Sequence, residues 1–278
     1  MKKAGKMMKK VVLFSPKGYV GGCLKESLQQ HEEIQLYEIT RDDDFMQYRE
    51  TYDIMIYSAS ITSARQETAE KYVQDNVVTA VSMMDFCKEH QINKVIYLSS
   101  DEIYGDLNAN IATEKAVMIT PNLYAATKYL AEKIIMDSGI SYYILRLPGI
   151  VGRTWGENFI YRLMEKIKND EQIELYNINK QFNNILDVDD LVRFIVTLCI
   201  DKYNEKNEIF LLGNTEKVAL KDIVFYMKEL HHSTSVIHGV DTNQKRYFAL
   251  DVENAVKYGY ASKNIKTIIA ELYEVQKG

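Results

Sequence analysis

The chain has 278 residues, 46% of them hydrophobic and 26% charged, with a formal net charge of −5. That composition excludes disorder as the default, and the acidic balance excludes nucleic acid as a partner, because phosphate-backbone binders rely on clustered Lys and Arg. Three widely spaced cysteines and five histidines without ligand spacing predict neither a disulfide framework nor a metal site.

In chain order, five lysines among the first ten residues precede the apolar run Val11–Phe14, which stops at Ser15-Pro16-Lys17 and is too short for an export signal. Nothing approaches the ~20 apolar residues that span a bilayer, so no membrane partner and a cytoplasmic location are expected. Strands are predicted at Val11–Phe14, Ile34–Ile39, Asp53–Tyr57, Lys94–Ser99, Ser141–Leu147 and Glu208–Leu212, with amphipathic stretches between them. Such alternation predicts an α/β fold with a doubly wound parallel sheet. Over Thr68–Glu89, the spacing of Val73, Val77, Val81 and Met84 predicts a helix lying on the sheet by that stripe. The three prolines, Pro16, Pro121 and Pro148, fall where elements should turn.

Directly after the first strand comes Ser15-Pro16-Lys17-Gly18-Tyr19-Val20-Gly21-Gly22, leading into a helix. Glycines there let the backbone approach a pyrophosphate, and the helix N-terminus supplies N–H groups to hold it. After the second strand, Glu38-Ile39-Thr40-Arg41 offers both a carboxylate for the ribose 2′-OH of NAD and an arginine for the 2′-phosphate of NADP.

Tyr-x-x-x-Lys occurs four times, at Tyr124/Lys128, Tyr129/Lys133, Tyr176/Lys180 and Tyr273/Lys277, so spacing alone selects none of them. Only Tyr124 follows a strand ending in Ser99-Ser100-Asp101-Glu102-Ile103-Tyr104-Gly105. Residues four apart share a helix face, about 6 Å apart along the axis. A tyrosine that works as a base near pH 7 needs its pKa lowered by about three, roughly 4 kcal/mol, and one ammonium at ~6 Å supplies about 3 kcal/mol of that.

The arrangement resembles the extended short-chain dehydrogenase/reductases, specifically the NAD(P)-dependent nucleotide-sugar epimerase/dehydratase family. Its members carry a Gly-x-x-Gly-x-x-Gly loop, here with Ser15 in the first glycine's place, then a Ser-Ser-x-x-(apolar)-Tyr-Gly strand end and Tyr-x-x-x-Lys. The likeness extends through Tyr72–Asn76, Leu145–Gly149 and Ile185–Leu191 to Leu250-Asp251-Val252. It implies a Rossmann-type dinucleotide-binding domain over 1–150 and 186–215, with a smaller interleaved substrate lobe over 151–185 and 216–278. It implies Ser100, Tyr124 and Lys128 as catalytic residues, with Asp101 and Glu102 beside them. Cofactor contacts are implied for Ser15, Gly18, Tyr19, Val20, Gly21, Thr40, Arg41, Ser58, Ala59, Asn76, Tyr124 and Lys128, although a polar helix surface would also explain Asn76. Thr40-Arg41 resembles the NADP-using members, so NADP is expected slightly ahead of NAD.

The implied substrate is a nucleotide-activated sugar, and a homodimer is compatible with the resemblance. Where uridine-diphosphate-sugar epimerases carry a diphosphate-binding asparagine and arginine, this chain has Gly149 and Asn183. Arg153, Arg162, Lys180, Lys245 and Arg246 are the cations that could substitute. Three readings follow: 4-keto reduction or 4-epimerisation first; 4,6-dehydration second, because Ser100-Asp101-Glu102 resembles the Thr-Asp-Glu triad of those enzymes; and a non-catalytic dinucleotide sensor third. Dehydration sets two conditions, a bend that turns Asp101 and Glu102 to one side and burial of Asp101.

Overall fold

A computed structural model describes residues 8–43, 47–59, 66–200, 206–242 and 246–277. By its internal contacts the chain divides into two units, residues 1–103, 122–146 and 192–210 in one and 104–121, 147–191 and 211–278 in the other.

The first unit is built on strands β1 (Lys9–Phe14), β2 (Ile34–Ile39), β3 (Ile54–Tyr57) and β4 (Lys94–Ser100). They belong to a six-stranded sheet in the order Glu208–Leu211, Ser141–Leu147, β4, β3, β1, β2. β1 pairs in parallel with β2 and β3, and β3 with β4. Continuous apolar runs such as Val11–Phe14 and Ile54–Tyr57 are buried throughout, as strands covered on both faces must be. Phe14 is in register with Ile39 and Tyr57, and Tyr57 with Tyr97, so the loops after β1 to β4 leave one edge of the sheet.

Helices α1 (Tyr19–Gln29), α3 (Thr79–Glu89) and α4 (Leu123–Asp137) pack against this sheet, while α2 (Ala69–Tyr72) and a π-helical stretch Val73–Val78 lead into α3 and lie against α4. Thr68 caps α2, its side chain accepting from the Lys71 N–H. The predicted valine stripe is corrected here: Val73 and Val81 are 42% and 45% exposed, and of the four residues only Met84 is buried. Tyr72, Asp75, Asn76, Ala80, Met83, Met84 and Cys87 face inward instead. A π-helical turn takes in more residues than an α turn, so it rotates the inward face away from the 3.6-residue pattern.

The second unit has its own core, in which helices Phe159–Lys168, Leu220–His231 and Ile265–Lys277 bring together Leu163, Met164, Val224, Met227, Ile269 and Leu272. Residues 104–121, expected with the sheet, join this unit because strand Asn108–Ala112 pairs with Tyr247–Leu250 and the Tyr104 ring lies edge-on to Phe248. Gly105 begins that excursion at φ +58, where a Cβ would lie 1.9 Å from the Ile119 carbonyl oxygen. Only glycine fits there. Among the described residues no helix is long and apolar enough to cross a membrane.

Candidate active site

Loops at one sheet edge carry several of the residues singled out by sequence, and two helical segments carry Asn76, Tyr124 and Lys128. In the first loop, Ser15 takes φ +71, the left-handed conformation that a glycine would adopt at no cost. It is held there by its N–H, which donates to the Ile39 carbonyl at 2.9 Å, and by Ser58, whose Oγ lies 2.7 Å from the Phe14 carbonyl and 3.3 Å from that of Ser15. Serine is thereby held in a backbone conformation that glycine favours.

Gly18 is the N-cap of α1 and brings no side-chain acceptor, and no acidic residue sits in the first turn. A Cβ on Gly21 would lie 2.2 Å from the Ser15 carbonyl oxygen, so this helix start can lie close against the loop only as glycine. A tight glycine cradle over an uncapped, carboxylate-free helix N-terminus fits a dinucleotide pyrophosphate. Tyr19 is exposed and Val20 partly exposed in that first turn, while Ala59, two residues past β3, is buried.

After β2, both specificity candidates are engaged. Glu38 pairs with Lys25 at 2.9 Å. Arg41 Nη1 lies 2.5 Å from Asp75 Oδ1, and its Nη2 donates to the Asp75 carbonyl at 3.3 Å. The Thr40 N–H donates to Asp43. Asp75 also meets Lys71 at 2.7 Å. Burial opposes ionisation of Asp75, but hydrogen bonds and charge from Lys71 and Arg41 outweigh it and hold the carboxyl below the usual range.

Asn76 is 1% exposed, so it does not belong to a polar helix surface. Its amide donates to Thr127 Oγ1 at 3.0 Å, and Thr127 in turn donates to the Tyr124 carbonyl at 2.8 Å. The π-helical stretch is thereby pinned to α4 beside Tyr124.

Asn122 caps α4 by accepting the Ala125 N–H at 2.8 Å, which sets Tyr124 in the helix's first turn. Tyr124 is buried, its ring 6.1 Å from that of Tyr72. One turn on, Lys128 is 1% exposed, its ammonium donating to the Leu98 carbonyl at 2.6 Å and lying 4.2 Å over the Tyr97 ring. Burial pushes Lys128 down to about 7, with Glu132 acting in the opposite direction. Ser100, buried at the end of β4, accepts from the Glu102 N–H at 3.2 Å. Asp101–Tyr104 form a 3-10 turn, Asp101 is 7% exposed, and Glu102 accepts from Asn122 at 3.1 Å.

The other Tyr-x-x-x-Lys pairs lack this setting. Lys133 is exposed, Tyr176 is 40% exposed, and Lys277 lies 3.8 Å over the Tyr273 ring at the surface.

Residues 16–213 match the model of the NAD dependent epimerase/dehydratase family. The chain belongs to that family. Among curated proteins it is similar to the dTDP-D-glucose 4,6-dehydratase of Dictyostelium discoideum, 27% identical over 198 residues covering 63% of this chain and 44% of that protein. A trifunctional UDP-glucose 4,6-dehydratase, epimerase and reductase of Arabidopsis thaliana is 26% identical over 69% of this chain and 31% of its own length. The chain thus matches less than half the length of these two relatives. Among solved structures, UDP-glucuronic acid 4-epimerase from Bacillus cereus in complex with NAD superposes with a TM-score of 0.79 at 17% identity, covering 96% of this chain and 98% of that one. RMD from Pseudomonas aeruginosa complexed with NADPH superposes with a TM-score of 0.78 at 16% identity, over 97% and 100%. These two likenesses establish the fold.

Sequence reading missed the support beneath α4. Glu132, completely buried, accepts from Ser99 at 2.5 Å and from Arg146 at 2.8 and 3.2 Å. The signal was present: Tyr124, Lys128 and Glu132 follow one another at intervals of four, and Arg146 stands alone in the apolar strand Ser141–Leu147. A buried charge on each of two neighbouring elements implies a pair.

In the second unit, Asn183 is completely buried, exchanging hydrogen bonds with the Leu250 backbone and donating to the Asn214 carbonyl. A Cβ at Gly149 would lie 3.3 Å from the Asn158 side chain. Of the proposed substitutes, Arg153 pairs with Asp189 at 2.6 Å, Arg162 donates to the Glu157 carbonyl, and Lys180 and Arg246 lie over the rings of Tyr247 and Phe248. Lys245 lies outside the described residues.

Proposed function

We propose that this chain is an enzyme transferring hydride at C4 of a nucleotide-activated hexose, by 4-epimerisation or 4-keto reduction. The observation that carries this reading is the buried Tyr124–Lys128 pair on α4, beside a strand end that presents Ser100. A dinucleotide held by the Ser15–Gly21 cradle would supply the hydride acceptor or donor. Tyr124 would take or return the proton at the sugar O4, and Ser100 Oγ would donate to the same oxygen as charge develops. Lys128 supports the phenolate form when protonated.

Family membership supports NAD(P) as cofactor. Between the two, the engagement of Arg41 by Asp75 supports NAD, against the slight leaning to NADP that Thr40-Arg41 suggests by sequence. A sensor without turnover is disfavoured, since burying Lys128 is costly and gives such a protein no benefit. Within this proposal the second unit holds the sugar nucleotide, the assembly is a homodimer that sedimentation would reveal, and the location is a reducing cytoplasm suited to three buried thiols.

Dehydration remains a second reading because both of its conditions are favoured by observation. The chain bends at Asp101–Tyr104, and Asp101 is buried. It stays second because Glu102 already serves Asn122 at the start of α4. Chromatography with mass spectrometry of products from a panel of nucleotide-activated hexoses and their 4-keto derivatives, the latter supplied with reduced dinucleotide, separates the readings. An isobaric epimer or a product heavier by two hydrogens is expected, lost in Tyr124→Phe and retained in Glu102→Gln, whose amide oxygen can still accept from Asn122. A product lighter by one water, lost in both Asp101→Asn and Glu102→Gln, would install the dehydratase. Undiminished turnover in Tyr124→Phe would move the chemistry elsewhere.

A further inference from the structure

We propose that Asp75 determines which dinucleotide the chain accepts, by occupying the Arg41 guanidinium that would otherwise receive a 2′-phosphate. This inference rests on the reading that the Ser15–Gly21 cradle holds a dinucleotide. In a doubly wound sheet the adenosine ribose lies beyond the end of the second strand. Arg41 stands two residues past the end of β2, whose last carbonyl, that of Ile39, accepts the Ser15 N–H of the cradle itself.

Both terminal nitrogens of Arg41 are directed at one residue, Nη1 at Oδ1 of Asp75 and Nη2 at its carbonyl oxygen. A phosphate seeks the same two-donor edge. Asp75 is well placed to keep it. The residue is 4% exposed, and its other carboxylate oxygen is held at 2.7 Å by Lys71, a cation from its own helical segment that is itself half exposed. Lys71 still faces Asp75 if Arg41 turns away, so a 2′-phosphate would compete with this carboxylate for the guanidinium and then sit beside it. The hydroxyl of NAD meets no such repulsion. Asp75 also comes from the π-helical stretch, whose altered phase turns Asp75 and Asn76 inward together. One points its carboxylate at the β2 loop and the other its amide at α4.

The test is titration of NADH and NADPH, followed by nucleotide fluorescence, into wild type, Arg41→Ala, Asp75→Asn and the double variant. Wild type should bind NADH at least as tightly as NADPH. Asp75→Asn, which keeps one side-chain oxygen and the backbone carbonyl as acceptors but loses the charge, should tighten NADPH about tenfold while moving NADH less than about threefold, the size expected of one carboxylate charge near a phosphate after salt screening. Adding Arg41→Ala should erase the gain. In the wild-type background Arg41→Ala should move NADPH less than about threefold, because its guanidinium is already taken. That arm decides the matter even if Asp75→Asn fails to fold. An unchanged NADPH-to-NADH ratio in Asp75→Asn, a gain that survives Arg41→Ala, or a loss of NADPH affinity of about tenfold in Arg41→Ala alone would overturn the inference. Failure of wild type to bind either nucleotide would instead remove the dinucleotide reading, and this inference with it.

Discussion

Lys128→Met should stabilise the protein in mild acid and destabilise it in alkali. Burial lowers Lys128 from its ordinary 10.5 to about 7, so the unfolded chain holds this proton more tightly than the folded one. The sign follows: below pH 7 both states are charged and the native protein bears the whole cost of a buried ammonium, roughly 5 kcal/mol. As pH rises from 7 to 10.5 that cost fades, and wild type gains stability on account of this residue. Methionine has nearly the same shape and no charge. It forfeits the bond to the Leu98 carbonyl, about 1–3 kcal/mol, and the contact with the Tyr97 ring, about 0.5–2 kcal/mol.

The balance at pH 6 is a variant more stable than wild type by about 2 kcal/mol, and the difference between the two should fall by about 3 kcal/mol on going to pH 9.5. Urea denaturation at the two pH values, without dinucleotide because bound ligand adds its own stabilisation, measures both quantities. A difference that stays constant between pH 6 and 9.5 would show that Lys128 is not desolvated as its position implies. The variant should at the same time lose activity, a gain in stability at the expense of a strained site.

Glu132→Ala should destabilise by about 3–5 kcal/mol, because it leaves the Arg146 guanidinium buried without its carboxylate. The double change Glu132→Leu/Arg146→Met should cost less than Glu132→Ala alone, and urea midpoints showing the opposite order would refute the pairing argument. Gly105→Ala should cost well over the ~1 kcal/mol that a positive φ alone imposes, since its Cβ would overlap the Ile119 carbonyl. Gly139→Ala, at φ +80 with nothing within 4 Å, should cost only about that 1 kcal/mol, and equal losses at the two positions would remove the steric part of the argument.

The sheet was legible because parallel strands buried on both faces leave unbroken β-branched runs. Val11–Phe14, Ile34–Ile39 and Ser141–Leu147 announce themselves within a residue or two of their observed limits. The short strands of the second unit did not: Gln181–Phe182 and Val218–Ala219 are two residues each, too brief for any period to register. Nor could the excursion of 104–121 be read, because Asn108–Ala112 is specified by a partner more than a hundred residues away.

The valine stripe shows a different kind of failure. Val73, Val77, Val81 and Met84 satisfy an α-helical period, yet the backbone through Val73–Val78 is π-helical, and the residues it turns inward are Asp75 and Asn76. A reader of hydrophobic pattern discards two polar residues in the middle of an amphipathic helix as solvent-facing, which is how Asn76 came to have so ordinary an explanation. The physical cue lies elsewhere. A buried Asp must have cations and a buried Asn must have hydrogen-bond partners. For Asp75 one cation is local, Lys71 four residues earlier, and the other, Arg41, is supplied by the loop after β2. Arg41 could be recognised from sequence as a candidate for the ribose, but its neutralising partner stands 34 residues downstream. If Asp75 withholds Arg41 as proposed, the preference of this site is a property of the pair, and a motif read at Thr40-Arg41 alone sees only the half that favours phosphate.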